Sequence, residues 1–238
     1  FGNISKDDIV LEIGPGTGKL TEKIINKKPK KIIVIEKDSM LVSILNKKFS
    51  QKIDIINEDI LRFDEKKLPY KKIVAFGNLP YNISTQILIK LIKLDNLSKI
   101  FKKLIFMFQK EVADRINANC NDSAYGRISI LSSWKFDIKK LKDVEPHSFF
   151  PPPKVKSTIL QFKPKKRFAK INNPITLEHV TNIFFKQRRK MIKKPLNQLF
   201  KFPLRVSNKF KLDINLRPQN LNPETYFKIC KEIEDLTE

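Results

Sequence analysis

Asn78-Leu79-Pro80-Tyr81 directly follows Lys72–Gly77, an apolar run that reads as a buried strand. The asparagine side chain offers a carbonyl oxygen, and the backbone carbonyl of Leu79 offers a second acceptor. Together they can take both N–H bonds of one amino group. An exocyclic adenine amine is a poor nucleophile because its lone pair is conjugated into the ring. Two acceptors would draw that nitrogen toward tetrahedral geometry and free the lone pair to attack a sulfonium methyl in line. Pro80 stiffens the loop so that the Leu79 carbonyl is presented. Tyr81 can stack on a base taken out of its helix. Such chemistry rests on positioning and oriented dipoles and requires neither a metal nor a strong general base. Taken alone, the tetrapeptide reads equally well as a plain Asn-x-Pro turn.

A second group of residues could hold the methyl donor. Glu12-Ile13-Gly14-Pro15-Gly16-Thr17-Gly18 is a glycine-rich turn leaving the apolar run Ile9–Ile13. Glycines there permit positive φ and let a ligand lie against the backbone. A dinucleotide fold expects G-x-G-x-x-G with a helix N-terminus facing a pyrophosphate. The spacing here is G-x-G-x-G with an acid two places before Gly14, which suits an uncharged nucleoside bearing an amino-acid tail. Glu36 ends a second strand about twenty residues after the turn, where a carboxylate can accept both ribose hydroxyls. Asp59 follows a third strand and can accept a bond from an adenine amino group. Each acid alone is an ordinary loop residue. Three at successive strand ends fall where open α/β sheets bind ligands.

The elements that must position these residues alternate. Strand runs at 9–13, 31–36, 53–56, 72–77 and 104–108 are separated by helical patterns at 19–26, 38–49 and 83–94, and a short helix spans 111–117. That order predicts a mainly parallel, doubly wound sheet. Arg127–Lys135 and Ser157–Phe162 read as two further strands forming an edge hairpin, separated by the proline-rich loop 145–153. After about Lys170 strand signals stop, and 174–238 reads as three or four short helices broken by Pro195, Pro203, Pro218 and Pro223. The expected division is 1–168 for an α/β domain and 169–238 for a small helical one.

Composition narrows the partners. The chain of 238 residues carries a formal charge of +23 and 41% hydrophobic residues, a globular protein suited to a polyanion. Fourteen Lys or Arg against the single acid Glu178 fall within 151–201, a concentration that a lysine-rich genome does not explain. Lys165, Lys166, Arg167, Arg188, Arg189 and Lys190 are the candidate RNA-binding residues. No apolar run approaches the roughly 18–20 residues of a membrane span, and the first residues show no signal-peptide pattern. Cys120 and Cys230 lie far apart and read as free thiols, and with only His147 and His179 besides, no metal site is expected.

Taken together, Glu12–Gly18, Glu36, Asp59 and Gly77-Asn78-Leu79-Pro80-Tyr81-Asn82-Ile83-Ser84 closely resemble the ribosomal RNA adenine N6,N6-dimethyltransferase family. Phe108-Gln109-Lys110-Glu111-Val112, Phe149-Phe150-Pro151-Pro152-Pro153-Lys154-Val155 and Gln187-Arg188-Arg189-Lys190 resemble its bacterial small-subunit (KsgA) type, and the likeness covers essentially the whole chain. It implies a class I, Rossmann-like methyltransferase sheet followed by a small all-α C-terminal domain. It implies that Glu12, Gly14, Gly16, Gly18, Glu36, Asp59 and Asn78 serve S-adenosylmethionine, which leaves as S-adenosylhomocysteine. Asn78 and Leu79 would hold the target amine, Pro80 would shape the loop, and Tyr81 and Phe149 would stack on the two faces of the adenine. The family's helical domain helps dock on the ribosomal subunit, and Gln187–Lys190 would lie on one of its helices.

The implied activity is dimethylation of two adjacent adenosines near the 3′ end of small-subunit (16S) RNA, with a role in subunit maturation. The protein would be a monomer, cytoplasmic or in an organellar matrix, with no membrane partner. Two features depart from the family. Its Gln-Asn-Phe-Leu segment, which closes over cofactor and substrate, precedes the point where this sequence begins, and a protein lacking it is expected to bind cofactor poorly. Lys193-Lys194-Pro195 stands where the family tends to carry an Asn. Three rivals stay open at this point: a macrolide-resistance enzyme acting on large-subunit RNA, a non-catalytic nucleic-acid binder of the same fold, and a dehydrogenase. The glycine spacing disfavours the last of these.

Overall fold

Five of the apolar runs form the parallel part of a seven-stranded sheet in the computed structural model, which describes residues 2–149 and 151–237. The chain runs β1 (Ile9–Ile13), α1 (Lys19–Ile25), β2 (Lys31–Glu36), α2 (Ser39–Phe49), β3 (Asp54–Asn57), β4 (Ile73–Asn78) and α3 (Ser84–Ile92). It continues through α4 (Leu97–Ile100), β5 (Phe101–Gln109), α5 (Lys110–Ile116), α6 (Arg127–Lys135), β6 (Phe136–Val144) and β7 (Ser157–Pro164). Four helices close it, α7 (Pro174–Phe185), α8 (Lys193–Leu199), α9 (Pro203–Phe210) and α10 (Pro223–Thr237). The strand order is β3-β2-β1-β4-β5-β7-β6, parallel through β5 and antiparallel at β7 and β6.

The order reverses between β1 and β4, so a crevice opens at their carboxyl ends, where doubly wound sheets place ligands. β1, β2 and β4 are almost wholly buried, which is why they read as continuous apolar runs rather than alternating ones. Val10, Val34, Val74 and Ile105 form one face of the core with Ile24 of α1 and Leu45 and Phe49 of α2. A cluster of Phe106, Phe108, Phe136 and Phe162, with ring centroids 5.4 to 6.5 Å apart, knits β5, β7 and β6 together. The outermost strand β6 carries Lys139, Lys140 and Lys142, charges that discourage edge-to-edge pairing.

Two expectations need correction. Arg127–Lys135 is a helix, and the first strand of the edge hairpin is Phe136–Val144 immediately after it. In α6 Ser129, Ile130, Leu131, Ser132, Trp134 and Lys135 are all buried, so no face was left polar to reveal a period of 3.6. Gln187–Lys190 lies in turns after α7 and not on a helix. The chain leaves the helical path there so that Ile192 can bury completely, its N–H bonding the Leu216 carbonyl at 2.8 Å.

The prolines also act differently from breakers. Pro203 and Pro223 open α9 and α10, and Pro195 sits in the first turn of α8, where a missing N–H costs nothing.

Contacts divide the chain into two units, Phe1–Ala113 with Phe136–Lys166 and Asp114–Lys135 with Arg167–Glu238. The second therefore gathers α6 as well as the C-terminal helices, which a single cut near 168 does not capture. Within it, Trp134 donates to the Ala169 carbonyl at 2.8 Å, and Tyr125 and Tyr226 donate to the Leu221 and Pro218 carbonyls at 3.0 and 2.6 Å.

Candidate active site

β1 ends in a turn where Gly14, Gly16 and Gly18 all hold positive φ, between 57° and 80°. Gly14 donates to the Ile35 carbonyl at 3.0 Å, tying the turn to β2. At Gly18 the need is also for space, because an added Cβ would come within 2.3 Å of the Phe49 ring. Behind the turn Glu12 is buried, and Thr21 of α1 donates to its carboxylate at 2.7 Å. With so little solvation, burial pushes the Glu12 carboxyl up to about 7.

A cavity of about 490 Å³ lies over the turn, lined by Gly14, Glu36, Asp59 and Pro80 among the residues expected there. Glu36 is the best organised of these. One oxygen takes the N–H groups of Lys37 and Asp38 at 2.8 and 3.0 Å, and the other takes only Gly16 at 3.3 Å. The second oxygen thus keeps capacity for hydroxyl donors. Asp59 accepts from Leu61 N–H at 2.9 Å and pairs with Lys37 at 2.9 Å. The Lys37 ammonium, helped by that N–H, holds the Asp59 carboxyl below its ordinary value. Ile60, Ile83 and Ile87 supply an apolar wall.

The Asn78 loop stands on the adjacent strand. Leu79 folds its side chain back over Gly77 into the core, which turns its backbone outward. Among the described residues no hydrogen bond reaches the Asn78 side chain or the Leu79 carbonyl, and Asn78 is exposed at the strand end. Pro80 accepts from the N–H groups of Ile83 and Ser84, starting α3. Tyr81 is held at both ends, its carbonyl by Ser84 Oγ at 3.1 Å and its phenol by Ser157 Oγ at 2.6 Å. Both serines are buried, so these bonds satisfy groups that have no access to water. Ser157 starts β7, straight after the proline loop that carries half-buried Phe149. Lys156 and Glu145 bridge the base of that loop at 2.8 Å. Phe150 of the same motif lies outside the described residues.

Sequence and structure thus bring Gly14, Gly16, Glu36, Asp59 and Pro80 together, with Asn78, Leu79 and Tyr81 on the same loop as Pro80. Glu12 and Gly18 stand behind the turn and do not line the cavity. Lys37, Ile60, Ile87 and Ser157 join the site without a sequence motif to mark them, and Ile83, inside the Gly77–Ser84 motif, joins it as an apolar wall. The apolar stripe of α3 was the available signal for Ile83 and Ile87. Ser157 is 76 positions from Tyr81 and had none.

In the second unit Arg188 donates to the Ser123 carbonyl at 2.7 Å and to Gln219 Oε1 at 3.3 Å. It therefore has a structural task. Arg189, Lys190 and Arg167 are exposed there; in the first unit Lys166 is exposed and Lys165 is half-buried, 3.9 Å from Asp137. No group of His, Cys, Asp or Glu among the described residues could hold a metal ion, and no described helix is long and apolar enough to cross a membrane.

Residues 2–235 match the family model described as "Ribosomal RNA adenine dimethylase". The chain is 55% identical over 227 residues to the ribosomal RNA small subunit methyltransferase A of Pelagibacter ubique (strain HTCC1062), covering 95% of this chain and 87% of that one. It is 39% identical over 237 residues to the protein of that name from Ehrlichia canis (strain Jake), covering 98% and 88%. A dimethyladenosine transferase from Plasmodium falciparum matches with a TM-score of 0.82 at 30% identity, covering 98% of this chain and 92% of that one. The 23S rRNA methyltransferase ErmE matches at 0.68 and 20% identity over 98% and 93%, a likeness of fold alone.

Proposed function

The chain belongs to the ribosomal RNA adenine dimethylase family and is a methyltransferase, and from that premise we propose that it dimethylates the N6 amino groups of two adjacent adenosines near the 3′ end of small-subunit (16S) rRNA. The observation that carries this reading is one crevice lined by Glu36 at the end of β2 and, across β1, by Pro80 after β4, where the Asn78 side chain and the Leu79 carbonyl just before Pro80 have no partner among the described residues.

The residues present fit S-adenosylmethionine. The less-bonded Glu36 oxygen suits ribose hydroxyls, Ile60, Ile83 and Ile87 suit the faces of an adenine, and Gly14 and Gly16 admit a ligand close to the backbone. When bound, that group supplies a sulfonium methyl. The chain's own contribution is to hold the amine: Asn78 Oδ1 and the Leu79 carbonyl accept its two N–H bonds and expose the lone pair. Tyr81, fixed at both ends, gives the base a rigid face, and Phe149 would cover the other. The Leu79 carbonyl is already set by its buried side chain before the substrate arrives, so little reorganisation of that dipole opposes the step.

Arg189, Lys190, Lys165, Lys166 and Arg167 would take phosphates of the small subunit, while Arg188 divides its charge between RNA and the fold. The setting would be cytoplasmic, with the protein a monomer acting in subunit maturation. Transfer of tritiated methyl groups to purified unmethylated 30S and 50S subunits, with the modified bases mapped, tests the proposal. Label on adjacent adenosines of 30S RNA is the expected result, and label confined to 50S subunits would overturn it.

A further inference from the structure

A second cavity, of about 250 Å³, lies in the helical unit and is lined by Lys193, Leu196, Asn197, Pro203, Leu204 and Ile214. Its floor is firm: Leu196 is fully buried, and the start of α8 is tied to the following chain by Lys193 N–H to the Ile214 carbonyl. Its rim leaves large apolar side chains in water. Leu204 is 64% exposed and the neighbouring Phe202 63%, with the Lys201 ammonium 5.6 Å from the Phe202 ring centroid. Large apolar side chains left in water beside a preformed pocket call for an occupant.

The charge around it says which kind. Between Glu178 and Asp213 there is no acidic residue, and ten of the intervening residues are Lys or Arg. Asp213, next to Ile214, turns its carboxylate onto the Asn215 N–H at 2.9 Å. A protein anchor would be met by a rim poor in lysine, since the cores of protein interfaces are depleted in it. A nucleic-acid base has two apolar faces, a polar edge and a phosphate on each side, and proteins receive unstacked bases on aromatic side chains set in basic grooves. The volume falls just below the roughly 300–1,000 Å³ of sites for larger ligands.

We propose that this pocket receives one unstacked base of single-stranded RNA. Leu204 and Pro203 of the lining make its apolar contacts, exposed Phe202 just before Pro203 stacks on it from outside the lining, the Asn197 amide meets its polar edge, and Lys193 and Lys201 take the flanking phosphates. The inference rests on the reading of the chain as an RNA methyltransferase, but it assigns a contact separate from the crevice in the first unit.

Stacking and phosphate contacts respond differently to salt, which makes the assignment testable. Affinity for unmethylated 30S subunits, and for single-stranded and duplex RNA oligomers of equal length, would be measured across a salt series. Phe202→Ala should weaken binding to 30S and to single strands by about fivefold to a hundredfold, leave duplex binding alone and leave the salt slope unchanged. Lys193→Gln should lower the log–log slope by roughly 0.7 to 0.9. Both side chains are exposed, so thermal unfolding should stay as in the wild type. Unchanged single-strand affinity in Phe202→Ala, as for a surface that binds protein, overturns the pocket, and so does an equal loss on duplex RNA. A Phe202 effect that persists while methyl transfer goes only to 50S subunits supports the pocket and sinks the small-subunit reading instead.

Discussion

The crevice of the first unit and the basic surface of the second use charge in opposite ways. At and behind the crevice Glu36, Asp59 and Glu12 are each held by partners of the fold. Glu36 takes three N–H bonds, Asp59 takes one and a lysine, and buried Glu12 takes a hydroxyl. In the stretch from His179 to Leu212 cations stand without a single acid among them in sequence, and most are exposed. A group held by several short bonds selects a ligand by geometry and is little screened by salt. Exposed cations select by field and lose their hold as salt rises. Chemistry and docking should therefore fail separately when residues are removed.

The largest separation is expected at Asn78. If its oxygen draws the amine and exposes the lone pair, its contribution is made chiefly in the transition state. Asn78→Ala should cost about 10²–10³ in single-turnover rate on saturating 30S subunits, with RNA affinity almost unchanged. More than half of the wild-type rate remaining would remove the mechanism's support.

Glu12 probes the buried end of the same region. Its carboxyl ordinarily titrates at 4.5 and here at about 7. The folded state therefore holds its proton where the unfolded chain has released it. Stability should fall as pH rises from about 4.5 to about 7, by roughly 1.4 kcal/mol per pH unit over that window. Glu12→Gln should flatten that part of a denaturation series, and a slope identical to wild type would contradict the burial.

Glu36→Ala should weaken binding of S-adenosylhomocysteine by roughly 1–3 kcal/mol, because hydroxyl donors lose a charged acceptor. Calorimetry checks this, and stronger binding of NAD than of S-adenosylhomocysteine would show that the crevice serves another ligand. The smallest effects lie in the second unit. Each lost phosphate contact should lower the log–log salt slope by roughly 0.7 to 0.9. Arg189→Gln with Lys190→Gln should do so without touching thermal stability. Arg188→Gln should instead lower the melting temperature, because its bonds to Ser123 and Gln219 go with it. If all three shift the slope equally with no change in melting, the comparison between bound and free charge breaks down.

Local order determined much of this protein. Period and composition in runs such as Ile9–Ile13 and Lys31–Glu36 suffice for buried parallel strands, because a strand covered on both faces must be apolar throughout. Gly14 to Gly18, Glu36, Asp59 and Asn78 were legible for the same reason, since each ends a strand or lies within five residues after one, and strand ends can be counted. What could not be read there depended on partners far along the chain. α6 reads locally as a strand because its burial on several sides erases the helical period, and only packing within the second unit supplies that burial. The turn at Gln187–Lys190 follows from the need to bury Ile192, which no run of basic residues announces. The grip of Ser157 on Tyr81 and the division of the chain into two interleaved units were likewise decided by tertiary structure. Hydrogen bonds and buried contacts between distant segments form only once the sheet has brought those segments together, and nothing in local propensity encodes which serine will meet which tyrosine.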